Sequence, residues 1–235
     1  STHPAIVTIY QAGVAGDGRP YLVMEYCPRP NLQVRSRAAA FSVAEALRVG
    51  VQVAAAVETA HRAGILHRDI KPANILVTEY NRPALTDFGI ATTADAVESS
   101  AGMSIPWSPP ESFTDQPESG VATDVYALGA VGYECLSGRR AFEGESAVQI
   151  AVMQIREQPD PLPAGIPPAV RALVERAMAK DPDVRFPDGA ALRDAVDAVL
   201  AGGVVGGGAE RLAVVGLGVG AAQHADLGAH GGGDL

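Results

Sequence analysis

The segment from Gly64 to Val77, "GILHRDIKPANILV", restricts the possible folds of this chain more than any other. It places a His, an Arg, an Asp, a Lys and an Asn on one short stretch between apolar flanks. This pattern has neither the periodicity of a helix nor the alternation of a strand. It therefore predicts an irregular loop that carries several chemically active side chains between two ordered elements.

The length and composition predict a soluble, globular chain. With 235 residues and 47% hydrophobic content, the chain can form one sizeable core or two small ones. Its formal charge of −9 argues against nucleic acid or an anionic membrane as the main partner. The closest approach to a membrane span, Leu212 to Ala222, is too short and is broken by glycines.

The cysteines and histidines predict neither a disulfide nor a metal centre. Cys27 and Cys135 lie far apart, without metal-ligand spacing, so a reducing cytoplasm is expected and Cys135 is expected to be buried. The histidines outside the polar loop are expected at the surface, at helix ends or in the tail: His3, His61, His224 and His230.

The first part of the chain contains strand patterns. The segments Ala5 to Gln11 and Pro20 to Tyr26 are rich in β-branched and aromatic residues, and a "GDG" turn signal between them predicts an antiparallel hairpin. After the polar loop, "NILV" and "RPALTD" predict two very short strands. The stretch from Phe88 to Pro117 has little periodicity, and a loop of that length in a compact domain is usually functional.

The rest of the ordered chain is predicted to be mostly helical. A strong helix pattern starts at Ser42, which forms a capping box with Glu45, and stops at Gly64. Four further helices are predicted over Ala122 to Leu136, Ser146 to Gln158, Pro168 to Lys180 and Asp188 to Leu200.

The C-terminal residues 202–235 are dominated by glycine and have no sustained periodicity, which predicts disorder. Their "GLGVGA" lacks the spacing and the βαβ context of a dinucleotide-binding loop. An alternative explanation is a shifted reading frame in a GC-rich gene, which only the nucleotide sequence could test.

The polar loop holds most of what phosphoryl transfer from ATP requires. Asp69 can accept or orient the proton of an attacking hydroxyl, and Lys71 can meet the charge of the γ-phosphate. Asn74 offers an amide oxygen to Mg²⁺, and Asp87 of "TDFG" offers a carboxylate. Gly89 then frees the backbone to turn away.

From His3 to about Leu200 the chain resembles the eukaryotic-like (Hanks-type) serine/threonine protein kinases, and specifically their bacterial receptor-type and actinobacterial members. The resemblance rests on seven motifs in order: "HPAIVTIY", "YLVMEYC", "HRDIKPAN", "DFG", "SPPE", "DVYALG" and "KDPDVRF". It implies an α+β, protein-kinase-like fold. Residues 1–27 would be a remnant of the N-terminal lobe and hinge, 28–201 the C-terminal lobe and 202–235 the tail.

The resemblance implies ATP and Mg²⁺ as cofactors. Met24 would be the gatekeeper at the back of the adenine pocket, and Leu76 its floor. The backbones of Glu25 and Cys27 would bond the adenine edge. Asn74 and Asp87 would be the Mg²⁺ ligands, with Asp69 as the catalytic base and Lys71 as the phosphate-contacting lysine.

The same resemblance implies protein substrates and control by phosphorylation. A lysine two positions after Asp69 points to Ser or Thr acceptors, and a dimer would allow autophosphorylation. Arg68 is expected to bind a phosphate in the segment that follows. Candidate acceptors there are Thr92, Thr93, Ser99 and Ser100. Ser104 is expected to touch Asp69 and Lys71, where many relatives have a threonine.

Several residues are expected to have structural roles. Glu111 and Arg185 match the family's buried ion pair, and Asp124 would brace the backbone of the catalytic loop. His67 is expected to stack with Phe88 and Ile9.

The resemblance also implies parts that this sequence does not contain. Relatives have a G-x-G-x-x-G loop, a lysine on the third strand and a glutamate on the following helix, all before the position of His3. We therefore expect a piece of a longer, N-terminally truncated kinase, whose parent could be membrane-anchored, and a chain that is nearly inactive alone. The alternatives are a pseudokinase-like binding module or a decayed gene product. A small-molecule phosphotransferase is disfavoured by the segment from Asp87 to Glu111.

Overall fold

The computed structural model describes residues 3–88 and 104–202, and its longest helix, α2 (Val43–Arg62), starts where the sequence predicts. The Ser42 hydroxyl accepts the N–H of Glu45 at 3.2 Å. In a capping box the Glu45 side chain would in turn accept the backbone N–H of Ser42. Here the Glu45 carboxylate instead pairs with Arg35 at 3.0 Å. The chain leaves the helix through Gly64, whose φ of +76° favours glycine.

The structure contains two small antiparallel ladders, one before and one after α2 in the chain. Strands β1 (Ile9–Val14) and β2 (Pro20–Met24) form the predicted hairpin, and β3 (Ile75–Val77) pairs with β4 (Pro83–Leu85). The predicted first strand begins too early, because the residues before β1 pair elsewhere. Leu85 donates its N–H to the carbonyl of Ala5 at 2.7 Å, which ties the N-terminal segment to β4.

The predicted helices are present in the described chain, with shifted ends. They are α3 (Val121–Ser137), α4 (Ala147–Arg156), α5 (Pro168–Ala177) and α6 (Gly189–Ala201). Ser146 and Asp188 cap α4 and α6, and Gly138 ends α3 in the left-handed conformation. The sequence does not predict a further helix, α1 (Leu32–Ala38). Asn31 is its N-cap, and the Asn31 side chain accepts the N–H of Val34 at 3.0 Å.

The core is formed where α3 packs between α2 and α5, with α6 against α2. Tight approach of α3 to α5 requires a glycine, because a Cβ at Gly129 would lie 2.7 Å from the Cβ of Ala177. This packing fixes the start of α3, which carries Asp124, against the polar loop. No helix of residues 3–88 and 104–202 is long and apolar enough to cross a bilayer. Of the predicted tail, only Gly202 lies within the described residues.

The two thiols are expected to react very differently. Cys135 is 2% exposed, and burial raises the pKa of its thiol to about 12, so little thiolate forms. Cys27 is partly exposed, although burial and the nearby Glu25 also raise the pKa of its thiol. We expect an aromatic disulfide reagent to label the Cys27 thiol of the native protein rapidly and the Cys135 thiol slowly. Cys27→Ser should therefore abolish the rapid labelling. Loss of the rapid labelling in Cys135→Ser instead would contradict the prediction.

Candidate active site

The backbone of the polar loop is held by Asp124, at the start of α3. This side chain is 1% exposed, and its two oxygens accept the N–H groups of His67 and Arg68, both at 2.9 Å. Arg68 has a φ of 71°, which is unfavourable for a side chain other than glycine. The buried carboxylate therefore stabilises a strained turn immediately before Asp69.

His61 adds a contact that sequence reasoning missed. Its Nε2 lies 2.7 Å from an Asp124 oxygen, and its side chain is only 6% exposed. The prediction of a helix-end position is correct, but His61 is not a surface residue. The signal was present in the sequence, since His61 follows Val53 and Val57 at intervals of four residues on the buried side of α2.

The ring of His67 connects the two halves of the site. Its Nε2 bonds the carbonyl of Thr86 at 2.7 Å, and its Nδ1 lies 3.1 Å from the N–H of Asp69. Burial lowers the pKa of His67, which favours the neutral ring that can accept this N–H. The ring packs on Phe88 with centroids 4.6 Å apart. The prediction that Ile9 also packs in this stack was wrong, because the Ile9 side chain is 56% exposed in the hairpin.

Asp69 is surrounded by three polar side chains. The Ser104 hydroxyl donates to its Oδ1, and Lys71 Nζ lies 3.6 Å from its Oδ2. Lys71 Nζ also donates to Ser104 Oγ at 3.1 Å, so the expected contact of Ser104 with both charged residues is present. Asn74 Nδ2 donates to the other oxygen, Oδ2, at 3.2 Å. The carboxylate keeps 34% of its surface exposed and can still receive a hydroxyl from outside.

Asn74 and Asp87 carry oxygen atoms of the kinds that bind a magnesium ion. The Asn74 amide is oriented by its NH₂ group, which donates to the Asp69 carbonyl at 2.8 Å and leaves Oδ1 without a bond in the described residues. Thr86 donates its N–H to the Asn74 carbonyl at 2.9 Å, which holds the neighbouring Asp87 beside the loop. One amide and one carboxylate suit Mg²⁺, which usually completes its octahedron with phosphates and water.

The predicted hinge carries unused backbone groups. Glu25 donates its N–H to Thr8 at 2.8 Å, while no hydrogen bond within the described residues engages its carbonyl or the N–H of Cys27. An acceptor and a donor at this spacing complement the N6 amino group and N1 of an adenine. Met24 ends β2 and Leu76 is the middle residue of β3, and both are partly buried.

The buried ion pair lies at the far end of the segment that follows the site. Arg185 is bidentate to Glu111, with distances of 2.6 and 2.8 Å. Its remaining N–H groups reach the carbonyls of Ala179, Lys180 and Ala122 at 2.7, 3.2 and 3.0 Å. All the donors of this fully buried guanidinium are therefore satisfied.

Some predicted residues cannot be placed. Gly89 and the candidate phosphate acceptors lie in 89–103, outside the described residues. The Arg68 side chain is exposed, and no ion pair involves it within the described part of the chain.

Replacing Asp124 by Asn is expected to lower the free energy of unfolding by about 1–3 kcal/mol. In either orientation of the amide, its NH₂ group faces a backbone N–H, from His67 or from Arg68. Chemical denaturation would measure the loss, with Asp197→Asn on the exposed side of α6 as the matched control. Equal stability of the two variants would mean that the loop does not depend on this carboxylate.

Comparison with known proteins assigns the chain to a family. The family model described as "Protein kinase domain" matches residues 1–195. The serine/threonine-protein kinase PknA of Mycobacterium tuberculosis is 41% identical over 209 residues, which cover 85% of this chain and 48% of that protein. The chain belongs to the protein kinase domain family, as the resemblance indicated.

Two further relatives give the same assignment. The serine/threonine-protein kinase PknK of Mycobacterium tuberculosis is 42% identical over 77% of this chain and 17% of its own length. A protein of Corynebacterium efficiens named "Serine/threonine-protein kinases drp72" is 40% identical over 84% of the chain and 39% of its own length. The chain therefore spans about half or less of the length of these relatives.

Proposed function

We propose that this chain is the catalytic region of a serine/threonine protein kinase, which transfers the γ-phosphoryl group of ATP to hydroxyl groups of proteins. The observation that carries the proposal is the contact of Asp69 with Ser104, Asn74 and Lys71. A carboxylate beside a cation, reachable by an outside hydroxyl, is the arrangement that this transfer needs.

Each residue of the site has a proposed part in the transfer. Asp69 receives the substrate hydroxyl, orients its oxygen and takes up its proton as the new bond to phosphorus forms. Lys71, held by Ser104 at 3.1 Å, balances negative charge on the transferring group. Asn74 and Asp87 would hold the Mg²⁺, which when bound neutralises the charge of the phosphates.

The nucleotide base would lie against the hinge. The carbonyl of Glu25 and the N–H of Cys27 would bond the adenine edge, with Met24 behind the base and Leu76 beneath it. These assignments rest on the family pattern and on the unused backbone groups of the hinge.

Regulation is proposed on the same basis. Arg68 would bind a phosphate on the segment that follows Asp87, and a dimer would allow one copy to phosphorylate the other. The cytoplasm, where ATP and reduced thiols are present, is the proposed location.

The test uses this chain alone and the same chain joined to the glycine-loop lobe of a related kinase. Incubation with Mg-ATP and a basic protein substrate should give phosphoserine and phosphothreonine, without phosphotyrosine, in the joined protein. The separate chain should give little transfer, because the residues that the structure describes form no lid over the phosphates. Phosphotyrosine as the main product, or no transfer from a folded joined protein, would overturn the proposal.

A further inference from the structure

A groove of about 590 Å³ lies behind the catalytic loop, between α1, the first turns of α2 and the turn that joins β3 to β4. Its floor is apolar. Leu32 and Phe41 are almost fully buried beneath it, and Pro30, Val49, Val77 and Pro83 complete its apolar lining. A concave apolar floor of this size can accept side chains of a bound segment.

The rim of this rear groove is basic. It carries three arginines, Arg29, Arg35 and Arg48, and one carboxylate, Glu45. Arg35 pairs with that carboxylate at 3.0 Å and its guanidinium lies 4.3 Å from the ring centroid of Phe41. Two arginines on the rim are left without a counter-charge from the groove lining.

These two arginines can receive an acidic partner. The guanidinium of Arg29 donates only to the carbonyl of Glu79, at 3.2 and 3.3 Å, which is a neutral acceptor. Arg48 is exposed, and within the described residues its guanidinium has no ion pair or hydrogen bond. An uncompensated pair of this kind contrasts with the −9 charge of the whole chain. Guanidinium groups bind carboxylates in a bidentate geometry that lysine does not match.

We propose that the rear groove docks an acidic segment of a protein partner. Apolar side chains of that segment contact Val49 and Val77, which are only partly buried, and its carboxylates bind Arg29 and Arg48. Complementary charge selects the segment and guides its approach, while the apolar floor supplies the contact area.

This docking is separable from phosphoryl transfer. None of the groove residues belongs to the set around Asp69, and α1 lies between the two, since it contacts both β3 and the short helix Pro72–Asn74. The proposal therefore does not depend on the proposed kinase activity. A partner held here would leave the polar loop open.

The test measures binding directly, with the chain as printed. The probe is a fluorescein-labelled peptide of about twelve residues, built from repeats of two glutamates, a leucine and a glycine. Its binding is measured by fluorescence anisotropy. The double variant Arg29→Glu with Arg48→Glu is compared with Arg19→Glu with Arg156→Glu. The latter changes two exposed arginines outside the groove and has the same net charge.

We expect the groove variant to bind the probe at least about tenfold more weakly than the natural chain, and the control variant to bind within about twofold. A second probe with serine for leucine should also bind more weakly. Both variants should fold, because all four substituted arginines are exposed. Thermal denaturation checks this. Absence of binding to the acidic probe, or equal loss in both double variants, would overturn the proposal. If a single-stranded oligonucleotide binds more tightly than the acidic peptide probe, and this binding depends on Arg29 and Arg48, the assignment to a protein partner would be overturned.

Discussion

Glu111→Gln is expected to lower the free energy of unfolding by about 3–5 kcal/mol, although it changes only one oxygen to an NH₂ group. The reason is Arg185, whose guanidinium is fully buried and would keep its charge without a counterion. One amide cannot replace a bidentate carboxylate, because its NH₂ group would face a guanidinium N–H. Chemical denaturation can be followed through Trp107, the single and nearly buried tryptophan.

The matched control is Glu118→Gln, an exposed carboxylate that precedes α3 and has no ion pair within the described chain. It should change the free energy of unfolding by less than about 0.5 kcal/mol. A double variant, Glu111→Leu with Arg185→Met, removes both charges. It therefore distinguishes the cost of losing the ion pair from the cost of leaving the Arg185 charge unpaired. It should be more stable than Glu111→Gln, because it leaves no buried charge unpaired. A double variant less stable than the single one would show that the hydrogen bonds of Arg185 to carbonyls carry the effect.

The helices and the position of the irregular polar loop could be predicted because their signals are local. Ser42, Ser146 and Asp188 each lie just before an apolar pattern of period 3.6, and each caps a helix as expected. The contact of Ser104 with Asp69 and Lys71 was predicted from the order of the family motifs. Local physics alone would not have joined residues thirty-five positions apart.

What the sequence did not reveal depends on contacts between distant segments. Helix α1 is too short and too exposed to show a clear period, and its cap at Asn31 is the only local signal. The partner of His61 becomes visible only when α3 supplies Asp124. Ile9 looks like a core residue by composition, yet the described chain places nothing over that side of the hairpin. Tertiary context, and not propensity, decides these positions.

Asp69→Asn is expected to reduce the turnover of the joined protein by about 10²–10⁴-fold. The amide has the shape of the carboxylate but cannot take up the substrate proton. The fold of the loop should persist, because the Asn74 side chain also donates to the backbone carbonyl of residue 69 at 2.8 Å. The loss should therefore appear in kcat, while KM for ATP changes little, since the proposed nucleotide contacts lie on other residues.

The control for this change is Asp160→Asn, a 76% exposed carboxylate that pairs with Arg139 outside the site. Its turnover should stay within about twofold of the natural sequence. Trp107 fluorescence during denaturation should show Asp69→Asn to be folded, which separates lost chemistry from lost structure. Turnover of Asp69→Asn within tenfold of the natural sequence would mean that positioning of the hydroxyl, and not proton uptake by this carboxylate, supplies the acceleration. Lys71 and the proposed Mg²⁺ ligands would then carry most of the catalysis, because charge stabilisation does not require a base.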